Sequence, residues 1–342
     1  MARPAALPIT LALQGGGAHG AFTWGVLDRL LEEPGLEIAG VSGTSAGAMN
    51  AVVLAQGLLH GDREIARAEL AGFWRRISEI GMAAFNPYQS TPVQAISRAW
   101  NIDYSPATML LDVVAQFVSP YQLNPLDRNP MRDLLHELID FEALNAAASP
   151  KVFVCATNLQ TNAMRIFTNG DLSTDALLAS ACLPQLHRAV EVDDAYYWDG
   201  GFIGNPVLKP LIRQCPAADL LLVQINPLQR RSLPITSRDI MDRLNEVTMN
   251  AALVRELDVV ATFNDLIRDG SLKSERYRLI RLHRIADPEV MSRLGLRSKN
   301  NTAWPFLTYL RDAGRTCTGR WLEANRAKLG HEATFDPGQL QT

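Results

Sequence analysis

The pentapeptide Gly43-Thr44-Ser45-Ala46-Gly47 stands between two apolar runs of different character. Residues 36–41 before it read as a strand, and residues 48–55 after it read as a buried helix. A strand that passes into a helix across so few residues must turn sharply. Gly-x-Ser-x-Gly in that setting is the pattern of a nucleophile elbow, which pushes the Ser hydroxyl into the open. Glycines two residues to either side let neighbouring backbone approach it. The N-terminus of the following helix offers its positive end and its free N–H groups to a developing negative charge.

A second glycine cluster, Gln14-Gly15-Gly16-Gly17-Ala18-His19-Gly20, follows a short apolar strand at residues 7–13. It opens a helix with Phe22, Val26, Leu27, Leu30 and Leu31 on one face, stopped by Pro34-Gly35. Three successive glycines expose several backbone N–H groups, a nest suited to an anion. That anion is either a fixed phosphate or the transient oxyanion of acyl transfer. Gly15, Gly17 and Gly20 also spell Gly-x-Gly-x-x-Gly, the mark of a dinucleotide-binding crossover. That reading needs an acid at the end of the second strand, where the chain has Val41-Ser42-Gly43-Thr44-Ser45 and no carboxylate. A nucleotide- or phosphate-binding protein and a plain tight turn remain alternatives. Downstream, Ala195-Tyr196-Tyr197-Trp198-Asp199-Gly200-Gly201 sets an acid after an aromatic strand. Asp199 there either caps the following turn or serves Ser45 as a general base.

With these pieces in order, the chain resembles the patatin-like phospholipase family over roughly residues 8–210. Gly15 to Gly20 resembles the family's oxyanion loop and Gly43 to Gly47 its nucleophile motif. Ala179-Ser180-Ala181-Cys182-Leu183-Pro184 is similar to the block that precedes the acid, and Asp199-Gly200-Gly201 to the acid motif. Residues 119–132 also resemble bacterial members. The resemblance implies acyl-ester hydrolysis by a Ser–Asp dyad, without a catalytic histidine or metal. One departure stands out: His19 occupies a position where the family usually has Arg or Lys, so any cationic role there would be weaker and pH-dependent.

A chain of 342 residues buries a substantial core. Its net charge of −3 gives no electrostatic case for nucleic acid. The four cysteines, Cys155, Cys182, Cys215 and Cys317, have neither paired nor metal-type spacing. Cys155 and Cys182 read as buried thiols, consistent with a reducing compartment. No secretory signal is read at the start and no run approaches ~20 apolar residues. The expected location is therefore the cytoplasm, with transient contact at a membrane or lipid-body surface left open.

Alternating strands and helices predict an α/β fold, a three-layer α/β/α sandwich around a mainly parallel sheet. Residues 1–210 are read as the catalytic core and 211–342 as a continuation of the same domain with extra helices. Residues 62–80 have an amphipathic pattern. Residues 81–130 lose the alternation and form an insertion, either a packed excursion or a flap carrying an acyl-binding wall. Strands are expected at 151–158, 164–167 and 219–225, the last in the sheet centre, with an edge strand over 276–285. Helices are expected at 173–181, 238–267 and 306–328.

A Ser–Asp–His order would need His283 or His331, the two histidines after Asp199. His283 reads as a solvated or hydrogen-bonded surface residue and His331 lies in a polar tail. The expected mechanism therefore has Asp199, with an ordinary pKa of ~3.9, accept the proton of Ser45. Gly15, Gly16 and Gly17 hold the oxyanion. His19 positions the loop or meets the head group, and Met109, Leu110 and Phe117 contact the acyl chain. Substrates are lipid or acyl esters; no metal or cofactor is expected, and the oligomeric state is not readable. The same dyad would also suit an acyltransferase or a polyester depolymerase.

Overall fold

Residues 6–83, 119–230, 232–272 and 277–340 are described, from a computed structural model. They contain eight strands: β1 (Leu7–Leu13), β2 (Leu36–Thr44), β3 (Lys151–Asn158), β4 (Met164–Thr168), β5 (Val190–Val192), β6 (Ala195–Asp199), β7 (Asp219–Val223) and β8 (Arg281–Ile285). The helices that matter here are α1 (Gly20–Leu31), α2 (Ala46–Leu59), α3 (Arg63–Ala83), α4 (Thr174–Ser180), α5 (Lys209–Gln214), α6 (Ser237–Arg268) and α7 (Trp304–Asn325). The strand order is β5-β6-β3-β2-β1-β7-β8, with β4 also paired to β3. The pairs β1–β2, β2–β3, β1–β7 and β7–β8 are parallel. The pairs β3–β4, β3–β6 and β5–β6 are antiparallel.

Both faces of the sheet are covered, because alternate residues of a strand point to opposite sides. In β1, Ile9, Leu11 and Leu13 join one apolar cluster, with α1, α2, α3 and α7; Ala12 joins another. In β7, Leu221 and Val223 face the first cluster, while Leu220 and Leu222 face the second, with Leu211 of α5 and Leu253 and Leu257 of α6. This is the three-layer, mostly parallel arrangement the alternation implied. All five residues of β7 are buried, in keeping with a strand covered on both faces.

Two expectations need correction. The pattern over residues 276–285 gives an edge strand as read, but β8 is shorter and its histidine is not at the surface. His283 is fully buried, its ring edge-on to Trp321 of α7 at 5.9 Å between centroids. Alternation marked two faces of the strand; it could not foretell that α7 packs over one of them.

The register along β3 is what assembles the site. Thr44, the last residue of β2, lies opposite Cys155, and Asp199, the last residue of β6, lies opposite the next residue, Ala156. The two strands flank β3, run in opposite directions and end opposite adjacent residues of it.

Candidate active site

Ser45 joins β2 to α2 at φ 56° and ψ −125°, a conformation that non-glycine residues rarely adopt. A side chain at Gly43 would strike the backbone of Gly47, and one at Gly47 would strike the carbonyl of Leu13. The elbow closes only because both positions lack a Cβ. The Ser45 N–H donates to Ser180 Oγ at 3.0 Å, so Ser180 from the end of α4 pins the turn. This gives the 179–184 block a physical task that its sequence alone did not disclose.

Asp199 is 3% exposed. Its carboxylate accepts the Gly201 N–H at 2.6 Å, so it caps the following turn. The Ser45 side chain lies near enough to influence its charge. Burial raises the Asp199 pKa; the Gly201 hydrogen bond, the Ser45 side chain and the charge of Lys299 pull it back, leaving it at about 6. The ordinary carboxylate value assumed from sequence is thus corrected upward, which makes the group a better base. The turn-cap reading of Asp199 is met by the Gly201 hydrogen bond.

The glycine loop sits directly over the elbow: a Cβ added at Gly15 would lie 2.9 Å from the Ser45 Cβ. Gly17 has φ 58° and turns the chain into a short 3-10 segment ahead of α1. The Gly15 N–H is already engaged, donating to Asn205 Oδ1 at 2.6 Å. Its expected part as an oxyanion donor is therefore corrected. The N–H groups of Gly16 and Gly17 donate to no acceptor among the described residues, and both glycines are half-exposed toward the cleft.

His19 departs from expectation too. It is 4% exposed, its Nε2 lies 2.7 Å from Ser298 Oγ, and it does not line the cleft. Burial, and then the nearby Lys299 charge, lower its pKa to about 3. It is neutral over the working range, so it supplies no pH-dependent cation to a head group. Of the two roles left open, positioning the loop is the one this geometry serves. Met109, Leu110 and Phe117 lie outside the described residues.

The cleft over Ser45 and Asp199 has apolar walls that include Met49, Phe73, Trp74, Ile77, Leu178 and Met249. At its rim, Tyr121, Leu186, Phe202, Met241 and Leu244 are exposed. Sequence reading missed the polar residues behind the loop. Asn205 and Asn226 hold Gly15, and Lys299 reaches the cleft from a turn far along the chain. Asn205 follows the acid motif closely and so had a local signal; Asn226 and Lys299 had none. The four cysteines are free, three of them buried. Among the described residues no helix is long and apolar enough to cross a membrane.

No curated protein matches the chain. Among solved structures, that of VipD from Legionella pneumophila is similar over 91% of this chain and 68% of its own, at 17% identity and a TM-score of 0.36, too low to carry an argument. The family model described as patatin-like phospholipase matches residues 11–212, a span that includes the glycine loop, the elbow and Asp199. The chain therefore belongs to the patatin-like phospholipase family, a family of lipid acyl hydrolases.

Proposed function

We propose that this protein hydrolyses carboxylic esters of lipids through an acyl-serine intermediate, with Ser45 as nucleophile and Asp199 as general base. The observation that carries the reading is the contact between a strained elbow serine and a buried carboxylate of raised pKa, beneath unengaged N–H groups. Asp199 accepts the Ser45 proton as Oγ bonds to the ester carbonyl carbon. The carbonyl oxygen, now negative, takes hydrogen bonds from the Gly16 and Gly17 N–H groups. The tetrahedral intermediate collapses, the ester C–O bond breaks, and the proton on Asp199 passes to the departing alkoxide. Water then gives a proton to Asp199 and attacks the acyl carbon; the acyl C–Oγ bond breaks, the Asp199 proton returns to Ser45 Oγ, and the fatty acid leaves.

Holding the serine and the carboxylate in one place lets positioning supplement basicity. The half-buried setting of the site also strengthens each charge interaction within it. The apolar walls suit an acyl chain, and the exposed apolar rim suits transfer of that chain from a lipid surface.

Incubation with phosphatidylcholine vesicles, lysophospholipid micelles and a short p-nitrophenyl ester, each with wild type and Ser45→Ala, tests the reading. Release of free fatty acid by wild type alone is the expected result. Equal release by the two proteins, or none from any ester, overturns it.

A further inference from the structure

Behind the glycine loop lies a polar chain that runs to one lysine. Lys299 Nζ donates to Asn226 Oδ1 at 2.8 Å and to Asn245 Oδ1 at 2.6 Å. Asn226 is 1% exposed, and its Nδ2 donates to the Gly15 carbonyl at 2.8 Å. A carboxamide whose oxygen receives an ammonium cannot also turn that oxygen toward a carbonyl. The lysine thereby fixes which end of Asn226 faces Gly15. The Asn226 N–H is itself tied to Gln14 Oε1 at 2.7 Å, which leaves the side chain little freedom. The Lys299 carbonyl abuts Gly17, where any side chain would collide with it, and the adjacent Ser298 meets His19. One turn, residues 296–300, thus touches the loop at Gly17 and His19 and reaches Gly15 through Asn226. It lies outside residues 11–212, the span that the family model matches.

The charges around this lysine are arranged unevenly. Glu246 and Asp242 of α6, Asp199 from the end of β6 and His19 from the loop all lie within its field. Glu246 already holds Arg230 and Arg243, and Asp242 accepts the Leu296 N–H at 2.8 Å. His19 is neutral. Among the described residues Lys299 forms no ion pair; both of its acceptors are neutral amides. Its positive charge is therefore left to act on the cleft, where Asp199 has no cationic partner of its own.

On the reading of Ser45 and Asp199 given above, we propose that Lys299 is a positioning residue of the hydrolase. It locks Asn226 against the Gly15 carbonyl, so that the Gly16 and Gly17 N–H groups stay aimed at the oxyanion, and it places a fixed positive charge behind that oxyanion and Asp199. The C-terminal segment is on this account part of the catalytic apparatus.

The test is the pH profile of kcat and kcat/KM on a short soluble ester for wild type, Ser45→Ala, Lys299→Met, Lys299→Arg and Asn226→Ala, with a melting curve for each. Lys299→Met should lower kcat by about 10–100-fold, less than the loss of an oxyanion donor itself, with KM within about threefold. The Lys299 charge favours ionised Asp199, so its removal should move the acid limb of kcat/KM to higher pH. Lys299→Arg keeps the cation and should return that limb toward wild type. Burial lowers the Lys299 pKa to about 8, so the wild-type rate should fall above that pH and the Arg variant should hold further into alkali. Asn226→Ala should lower kcat while leaving the acid limb in place. Lys299→Met with wild-type kcat and an unmoved limb overturns the proposal. So does a kcat loss that tracks a fall in melting temperature with the limb unmoved. If Lys299→Met does not fold, wild-type kcat in Asn226→Ala overturns it instead. Absence of Ser45-dependent hydrolysis in wild type sinks the proposed function itself. Ser45-dependent hydrolysis with an indifferent Lys299→Met sinks only the role of Lys299.

Discussion

Asp199 and Asp219 are both buried, at 3% and 1% exposure, yet they sit at opposite ends of the sheet with pKa values shifted in opposite directions. Asp219 begins β7, beside Ile9 near the start of β1. It accepts Arg281 at 2.7 Å, His283 Nε2 at 3.0 Å and the Gly330 N–H at 2.9 Å. Burial alone would raise its pKa; the hydrogen bonds from His283, Arg281 and Gly330, with the Arg281 charge, more than reverse this and hold it below the usual range. Asp199 takes one backbone N–H, has the Ser45 side chain nearby, and burial prevails. A buried carboxylate that is fully hydrogen-bonded pins β7, β8 and the C-terminal segment together. One left short of donors keeps the basicity that chemistry requires. His283, flanked by Asp219 and Thr334 at 3.0 Å each, has the outline of a triad. It is sealed under α7, at the far end of the sheet from Ser45, and its chemistry is structural.

The contrast can be broken first by activity. Asp199→Asn should lower kcat by about 10²–10⁴-fold while the protein stays folded; retention of more than about a tenth of the rate would remove Asp199 as base. Asp219→Asn should do the reverse. Stripping one partner from a buried ionic cluster costs about 3–5 kcal/mol, readable by urea unfolding, while the folded fraction keeps kcat within a few-fold. A large kcat loss in stable Asp219→Asn would join the two regions functionally and end the comparison.

Gly16→Val sharpens the picture of the cleft end. A Cβ at Gly16 would come within 2.8 Å of Ile225 Cδ1, so the loop or that side chain must shift. A kcat loss of about 10²–10³-fold is expected, that of one oxyanion donor; an unchanged kcat would put the hole elsewhere.

Stability against pH gives the two aspartates opposite signs. The folded pKa of Asp199, about 6, exceeds its unfolded value. Its contribution is therefore fully present below about pH 4 and is lost as pH rises toward 6. Asp219, with a depressed folded pKa, contributes above its unfolded value and loses that contribution as pH falls. Relative to wild type, Asp199→Asn should gain roughly 2–3 kcal/mol between pH 4 and pH 8, taking ~1.4 kcal/mol per pKa unit. Parallel stability curves across that range would contradict the raised pKa.

The smallest effect concerns the rim. Leu244 is 55% exposed. Leu244→Ser should slow hydrolysis of vesicle lipids a few-fold and leave a short soluble ester and the melting temperature unchanged. Equal slowing of both substrates would assign Leu244 to packing.

What the sequence disclosed follows from range. The elbow, the glycine loop and Asp199 are written in runs of a few residues, since sharp turns and close backbone approaches demand glycine at fixed spacing. The sheet was legible for the same reason, because periodicity is local. The burial of His283 was not, since it depends on α7 crossing over β8. Nor was the engagement of the Gly15 N–H by Asn205, or the neutral state of His19, which is set by its burial and then by the Lys299 charge. The raised pKa of Asp199 is a property of an assembled cavity that no single motif encodes.

The central claim is that Asp199 in its basic form activates Ser45. The most direct measurement is the rate of Ser45 labelling by a fluorophosphonate as a function of pH, with the modified residue mapped by mass spectrometry. The account predicts a single modified residue, Ser45, a rate that rises with an apparent pKa near 6, and loss of that rise in Asp199→Asn. Labelling at another residue, or an undiminished pH-dependent rise in Asp199→Asn, would contradict it.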